Sequence, residues 1–276
     1  MLLPLGFLTF NDEAEQYLFA AILRSGVSKE VEGTLGLLRR VVPRLRDLFP
    51  RARIRVRLDG GFQGPQLFDL LDDLGVEYLV GFAKNSVLGR ASATLLKKAV
   101  RKAKATGETT SLYGETKYSA GSWKKTIRRV VFKAECLISP FHDEPKRNER
   151  YVVTNLPWTP KNVYKEYCRR GDAENRVKEL KDGLEVDRTS CHRAIANQFR
   201  LLLTAAAFAL FQELRLRAAR TPLARAQVAT LRLALIKIGA VVKGSCRRIT
   251  LELSRGHPWA AIWLRIARSC GALSSA

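Results

Sequence analysis

The chain has 276 residues and a mass of 31.0 kDa, enough for one large domain or two modest ones with a full core. Hydrophobic residues make up 46% and charged residues 27%, ordinary globular values that exclude a disordered tail and a fibrous protein. Lys and Arg outnumber Asp and Glu by 48 to 26, a net charge of +22, and such self-repulsion points to a polyanionic partner rather than to a solitary small-molecule enzyme.

Leu5 to Phe10 and Tyr17 to Leu23 flank an Asn-Asp-Glu turn and read as a hairpin, although QYLFAAILR also suits a short helix. From Val31, apolar residues at Leu35, Leu38, Val42, Leu45 and Leu48 recur every three or four positions, predicting an amphipathic helix that Pro43 should kink or interrupt. Arg53-Ile54-Arg55-Val56-Arg57-Leu58 then alternates with period two and breaks at Asp59-Gly60-Gly61, which puts Asp59 at the carboxyl end of a strand. Pro65 opens a helix closed by Gly75, and VEYLVGFA reads as a buried strand. The result is a β-α-β unit with parallel strands, and ligands of such sheets gather outside the carboxyl strand ends, where Asp59 sits.

Residues 90 to 105 predict a basic helix. Gly107 opens a β-rich stretch with TIRRVVFKAECLIS and RYVVTNL as strands and FHDEPKRNER as a polar loop between them. A long helix from about Tyr164 to Leu184 is expected next, then an apolar helix from Ala194 to about Arg217, a helix from Leu223 to Ile238, a hairpin around Lys243-Gly244 and an amphipathic segment with Trp259 and Trp263.

The positive charge is not uniform. Residues 84 to 133 hold 13 bases and 2 acids, and residues 188 to 276 hold 15 bases and 2 acids, while the two remaining stretches each hold 10 bases and 11 acids. Acids kept in two regions favour an enzyme on nucleic acid, which needs anchoring bases and a few carboxylates for metal, over a uniformly basic coating protein. Cys136, Cys168, Cys191, Cys246 and Cys270 are odd in number and form no Cys-x-x-Cys pair, so neither a disulfide framework nor a zinc site is expected, and a reducing cytosol suits them. The apolar start MLLPLGFLTF lacks a basic leader, and Leu201 to Phe211 is short of the ~20 residues of a membrane span. No membrane association is expected. His142, His192 and His257 are scattered, and neither a Walker loop nor a dinucleotide fingerprint occurs.

On the helix after Tyr164, Tyr167, Arg170, Glu174 and Lys181 fall on one narrow stripe that borders the apolar positions Ala173, Val177, Leu180 and Leu184. A solvated charged face gives such a stripe too, and Asp59 before Gly-Gly is also a common turn former. Read together, Asp59 at a strand end and Glu174 on a helix flanking the sheet are carboxylates that could share Mg²⁺ with substrate phosphates, with Tyr167, Arg170 and Lys181 as phosphate holders. Trp123, amid Lys124, Lys125, Arg128 and Arg129, could stack on an unpaired base or serve the core.

The run Tyr167-x-x-Arg170-x-x-x-Glu174-x-x-x-x-x-x-Lys181 resembles the Tyr-Arg-Glu-Lys signature of bacterial insertion-sequence DDE transposases, group 1, and RLDGGF around Asp59 resembles their second-acid strand. YCRRGDAENRVKELKDGL and DRTSCHRAIANQFRLLL extend the similarity over much of the chain. The resemblance implies an α/β RNase H-like core, a β-rich insertion between the second and third acids, and a helical carboxyl-terminal part. The expected divisions are 1–106 and 161–220 for the core, 107–160 for the insertion and 221–276 for the extension. It further implies Asp59 and Glu174 as catalytic, metal-holding acids, two Mg²⁺ ions, and strand cleavage and transfer at element ends. The expected partners are double-stranded DNA of element ends and target, with a homodimer in the DNA complex, in the nucleoid of a bacterial cytoplasm. In that family the first Asp lies upstream of a segment resembling LLPLGFLTF, so this chain is expected to be the carboxyl-terminal part, its core incomplete at the N-terminus. Asp12, Glu13 and Glu15 follow that segment in a turn and are not expected to substitute. Two other readings stay open: a DNA-binding remnant that does not cut, and a structural RNA-binding protein, which DNA against RNA competition would separate.

Overall fold

The computed structural model describes residues 5–11, 13–23, 30–123, 126–139, 142–254 and 256–272. They divide into two compact units, Lys29–Gly171, and Met1–Ser28 with Asp172–Ala276. The architecture is mixed α/β. Asp12, Lys124 and Lys125 lie outside the described residues.

The Lys29–Gly171 unit is built on a mixed five-stranded sheet. Its strands are β3 (Arg55–Leu58), β4 (Glu77–Phe82), β5 (Thr110–Tyr118), β6 (Arg128–Ser139) and β7 (His142–Thr154), arranged β3-β4-β7-β6-β5. Strands β3 and β4 are parallel, with Leu58 beside Val80, and the remaining pairs are antiparallel. Alternation sends Val56, Tyr78, Val80, Val130, Phe132, Tyr151 and Val153 to one face, where helices α1 (Glu30–Leu48), α2 (Pro65–Asp73) and α3 (Ser86–Thr106) contribute Leu35, Val42, Leu67, Phe68, Leu71 and Leu88. Leu79, Val131 and Val152 point to the other face, under Val163 and Tyr164 of α4 (Pro160–Cys168). The sheet therefore has helices on both sides. Local chemistry sets the boundaries: Pro65 opens α2, Asn85 caps α3 by accepting from the Leu88 N–H at 2.9 Å, and Gly75 and Gly107 end their helices at φ +56° and +68°.

Two expectations for this unit change. Helix α1 runs unbroken through Pro43, an exposed position where the carbonyl freed by the missing N–H can turn to water. The polar stretch FHDEPKRNER is mostly strand: β7 begins at His142 and pairs with β6 through Glu149–Ala134 and Arg147–Cys136. Only Tyr151–Thr154 of β7 pairs with β4, so the first part of β7 is a sheet edge, which tolerates both Pro145 and a charged sequence.

The other unit contains a hairpin of β1 (Leu5–Leu8) and β2 (Tyr17–Ala21), the part of α5 (Arg170–Leu184) from Asp172 onward, α6 (Ala194–Arg217), α7 (Val228–Leu231), a second hairpin of β8 (Ala240–Ser245) and β9 (Arg248–Leu253), and α8 (Ala260–Ser269). Leu180, Leu201, Phe208, Phe211, Leu223, Leu231 and Ile266 form its core. Gln198 of α6 ties down β2, accepting from the Leu23 N–H at 2.7 Å and donating to the Ala21 carbonyl.

The helix expected over residues 223 to 238 is instead a 3-10 turn (Pro222–Arg225), α7 and a π-helical turn (Arg232–Ile236). Thr221 accepts from Leu223 N–H and Glu179 accepts from Val228 N–H, so side chains rather than a continuing helix satisfy these donors. The second hairpin forms, but its tip is at Cys246-Arg247, and Lys243 and Gly244, expected at the turn, are paired within β8. Helix α6 is longer than the apolar run read from sequence, and among the described residues it is the one helix long and apolar enough to cross a membrane. It also sends Phe208, Phe211 and the charged Arg215 into the core.

Candidate active site

Arg55 and Arg57 alternate with Val56 and so share the α4 face of the sheet. The Arg55 guanidinium lies 4.4 Å over the Trp158 ring, donates to Glu77 and pairs with Glu166 at 3.1 Å, while Arg57 reaches Glu166 at 3.5 Å. Glu166 is largely enclosed, and the two arginines anchor α4 across β3. The next residue, Tyr167, is thereby placed over the end of the strand.

At that end Asp59 adopts extended geometry and caps the 3-10 turn Gly60–Phe62, its Oδ1 accepting from Gly61 N–H at 2.9 Å. Its Oδ2 lies 3.8 Å from Nη1 of Arg170. Arg170 also donates to the Tyr167 hydroxyl, so Asp59 meets a pair of residues from far along the chain within one unit. Burial pushes the Tyr167 hydroxyl above its ordinary value of 10.0, Arg170 opposes that rise, and the Asp59 carboxylate adds to it. Tyr167 is therefore a neutral hydroxyl at pH 7.

Gly81 is the floor of this cluster. A Cβ there would collide with the Tyr167 hydroxyl and stand 2.9 Å from the Gly60 nitrogen and 3.2 Å from the Asp59 carbonyl carbon, so only glycine lets the Asp59 turn and Tyr167 close over β4. Gly81 was not among the residues singled out from sequence. The signal was there, because a glycine inside the buried run VEYLVGFA marks a close backbone approach. The Arg55–Arg57–Glu166 anchor was equally readable in principle, as two arginines on one face of a strand need a carboxylate partner.

Glu174 and Lys181 lie further along α5, in the unit that contains Asp172–Ala276, and both are exposed. The single stripe expected on one helix is interrupted. Helix α4 ends at Cys168 and α5 begins at Arg170, with Arg169 as the cap whose N–H turns back to the carbonyls of Glu166 and Tyr167. Gly171 weakens continuation and Asp172 favours a new first turn, so Tyr167 belongs to one helix and the other three to the next. On its inner side α5 buries Glu179, which accepts from the enclosed Arg215, from Arg176 at 2.8 Å and from Val228 N–H at 2.8 Å.

Trp123 is corrected to a core residue. Its ring is 4% exposed, packed edge-on against Phe68, Phe82 and Tyr118 at 5.2 to 5.4 Å and flanked by the Arg128 guanidinium at 5.9 Å. No face remains for a base to stack upon.

A family model for the transposase DDE domain, group 1, matches residues 3–274. The chain belongs to that family. No curated protein matches it. The transposase family is one of DNA-transfer enzymes, which bind DNA and typically use a divalent metal. Among the described residues of this transposase, no three His, Cys, Asp or Glu side chains gather as a preformed metal cage. Asp59 could serve as one carboxylate ligand: it is half exposed, one oxygen accepts from the Gly61 N–H, and the other lies 3.8 Å from the Arg170 guanidinium. Mg²⁺ commonly binds through one or two carboxylates plus substrate phosphates.

Proposed function

We propose that this chain acts on the ends of an insertion sequence as a DDE transposase, with Asp59 and Glu174 as the second and third acids of the family's site. The observation that carries the reading is the convergence of Asp59, Tyr167 and Arg170 at the carboxyl end of β3. These are the second-acid position and the first two positions of the Tyr-Arg-Glu-Lys run. Asp59 and Glu174 would hold Mg²⁺, which when bound supplies charge neutralisation and activation of the attacking hydroxyl.

The protein's own groups position the phosphate. Arg170 presents a planar set of donors beside the acid and suits a bidentate grip on a phosphodiester. Tyr167, kept protonated by burial and by Asp59, accepts from Arg170 and so keeps its proton for a phosphate oxygen. Lys181 adds a point charge further along α5. Because phosphoryl transfer depends on positioning and charge stabilisation, loss of either acid should cost far more than loss of one phosphate holder.

The deciding experiment uses duplex element ends and Mg²⁺. Asp59→Asn and Glu174→Gln should each abolish strand cleavage and transfer while leaving DNA affinity within about threefold. Replacing Mg²⁺ by Fe²⁺ should direct oxidative backbone cleavage to the segments around both residues. Cleavage around residue 59 alone would remove Glu174 from the metal role. A second reading, DNA binding without cutting, is in keeping with the absence of any group of three His, Cys, Asp or Glu side chains among the described residues. It predicts tight end binding and no metal-dependent nicking by the unsubstituted chain.

A further inference from the structure

Helix α3 carries six bases and no acid, and four of the bases share one side. Leu88, Ser92, Ala99 and Ala103 are buried against the sheet. Advancing 100° per residue, Arg90, Lys97, Arg101 and Lys104 fall within about 60° of one another on the opposite side. All four are exposed, and Lys98 and Lys102 flank them.

A helix serving only as a solvated cover would mix signs, since like charges three and four residues apart repel and Glu-Lys pairs stabilise. Lys97 and Arg101, and Arg101 and Lys104, stand at those spacings, and no acid occurs between Lys84 and Gly107. Among the described residues none of the six cations pairs with a carboxylate. The helix dipole accounts for bases in the last turn only, here Lys104, which leaves Arg90, Lys97, Lys98, Arg101 and Lys102 unexplained by it.

We propose that the exposed face of α3 is a binding surface for the phosphate backbone of double-stranded DNA flanking the cleavage site. This rests on the transposase reading above and adds a surface outside the Asp59 cluster. Position and length fit. Three residues separate α3 from the end of β4, close in sequence to Gly81 beside Asp59, and residues 90 to 104 cover about 21 Å at 1.5 Å per residue. That matches about six base pairs at 3.4 Å per strand step. The contact reads backbone charge, not sequence, so it suits DNA adjoining an element end as well as the end itself.

The test is duplex DNA binding by the full chain as a function of salt. Each phosphate held contributes about 0.9 to the slope of log affinity against log salt. The quadruple substitution R90Q/K97Q/R101Q/K104Q, which keeps good helix formers, should flatten the slope by about three to four and weaken unrelated duplexes alike. K97R/K104R should leave it unchanged. If the quadruple variant loses its helical circular dichroism, K97Q and R101Q singly should each remove about 0.9. An unchanged slope in a folded quadruple variant overturns the proposal, as does a loss confined to single-stranded RNA. Failure of the transposase reading looks different: the α3 substitutions would still flatten the slope while the unsubstituted chain fails to cut element ends. Conversely, a slope that responds to Arg170→Ala and not to the α3 set leaves that reading intact and removes this one.

Discussion

Asp59, Tyr167 and Arg170 are half-exposed groups held together by backbone closeness, with Gly81 leaving the space they close over, whereas Glu179 and Arg215 are enclosed charges that hold each other. The first arrangement keeps its polar atoms open to solvent and to a ligand. The second uses all of the Glu179 carboxylate internally, on Arg215, Arg176 and Val228 N–H. An ion pair so thoroughly buried is a poor source of net stability, because desolvation offsets most of the attraction. What it supplies is a fixed rotation of α5, the helix that carries Glu174 and Lys181. One region is thus fixed by the absence of a methyl group and the other by the presence of a charge, and they should break differently.

The largest effect is expected at the enclosed pair. Arg215→Ala removes the enclosed cation and leaves the buried Glu179 with only Arg176 and the Val228 N–H, and should destabilise the chain by about 3 kcal/mol in denaturant unfolding. Glu179→Gln keeps an oxygen for Val228 N–H and should cost less. A loss below about 1 kcal/mol for Arg215→Ala would mean the pair is solvated and α5 is positioned by its apolar contacts alone.

Gly81→Ala should come next, at about 1 to 3 kcal/mol, since the added methyl meets the Tyr167 hydroxyl and the Asp59-Gly60 backbone. Tyr167→Phe removes the nearest obstacle and should recover part of that loss in the double variant, a coupling above about 0.5 kcal/mol. Strict additivity would show that the hydroxyl does not rest on Gly81.

These two regions also differ in how far the sequence exposed them. The period-two run ending at Asp59, the helix opened by Pro65 and the parallel partner strand follow from local rules, and the structure has all three. Arg170 and Tyr167 were readable as a spaced pair. What escaped was tertiary: the interruption at Arg169, which periodicity averages over, and Gly81, whose role depends on what packs against it. The Glu179–Arg215 pair escaped because 36 residues separate the partners and each looks like a surface charge in its own helix. Trp123 illustrates the converse, since its basic neighbours left a DNA contact open beside the core role that the structure gives it. The edge portion of β7 was missed because its residues are polar or charged at successive positions, so no hydrophobic alternation marks it as a strand.

A smaller effect distinguishes α3 from both regions. At its buried side Ser92 and Tyr151 hydrogen-bond Glu149, which also pairs with Lys84. Burial alone would raise the Glu149 carboxyl, but donation from Lys84 and Ser92 outweighs it and holds the group below its ordinary 4.5. A carboxyl depressed in the folded state contributes stability above its unfolded value and loses it as pH falls through the folded one. Unfolding free energy should therefore drop on acidification below about pH 4.5, and Glu149→Gln should be less stable than the parent at pH 7 while showing a shallower acid loss. Equal pH slopes would show that Glu149 is not ionised in this contact.

The smallest effect is a spectroscopic one, and it reads the geometry at the strand end without DNA or metal. Tyr167 titrates above 10.0 chiefly through burial, with Arg170 pulling the value down and Asp59 pushing it up. Phenolate absorbance, taken as the difference from Tyr167→Phe, isolates this hydroxyl from the protein's other tyrosines. Asp59→Asn removes a negative neighbour and should lower the midpoint. Arg170→Gln removes a positive neighbour and a donor and should raise it. Opposite signs require both groups to lie beside the same hydroxyl, since a general loosening of the site would reduce burial and lower the midpoint in both variants. Shifts of the same sign would separate Asp59 or Arg170 from Tyr167, and with it the claim that the strand end and the signature helix meet at one place.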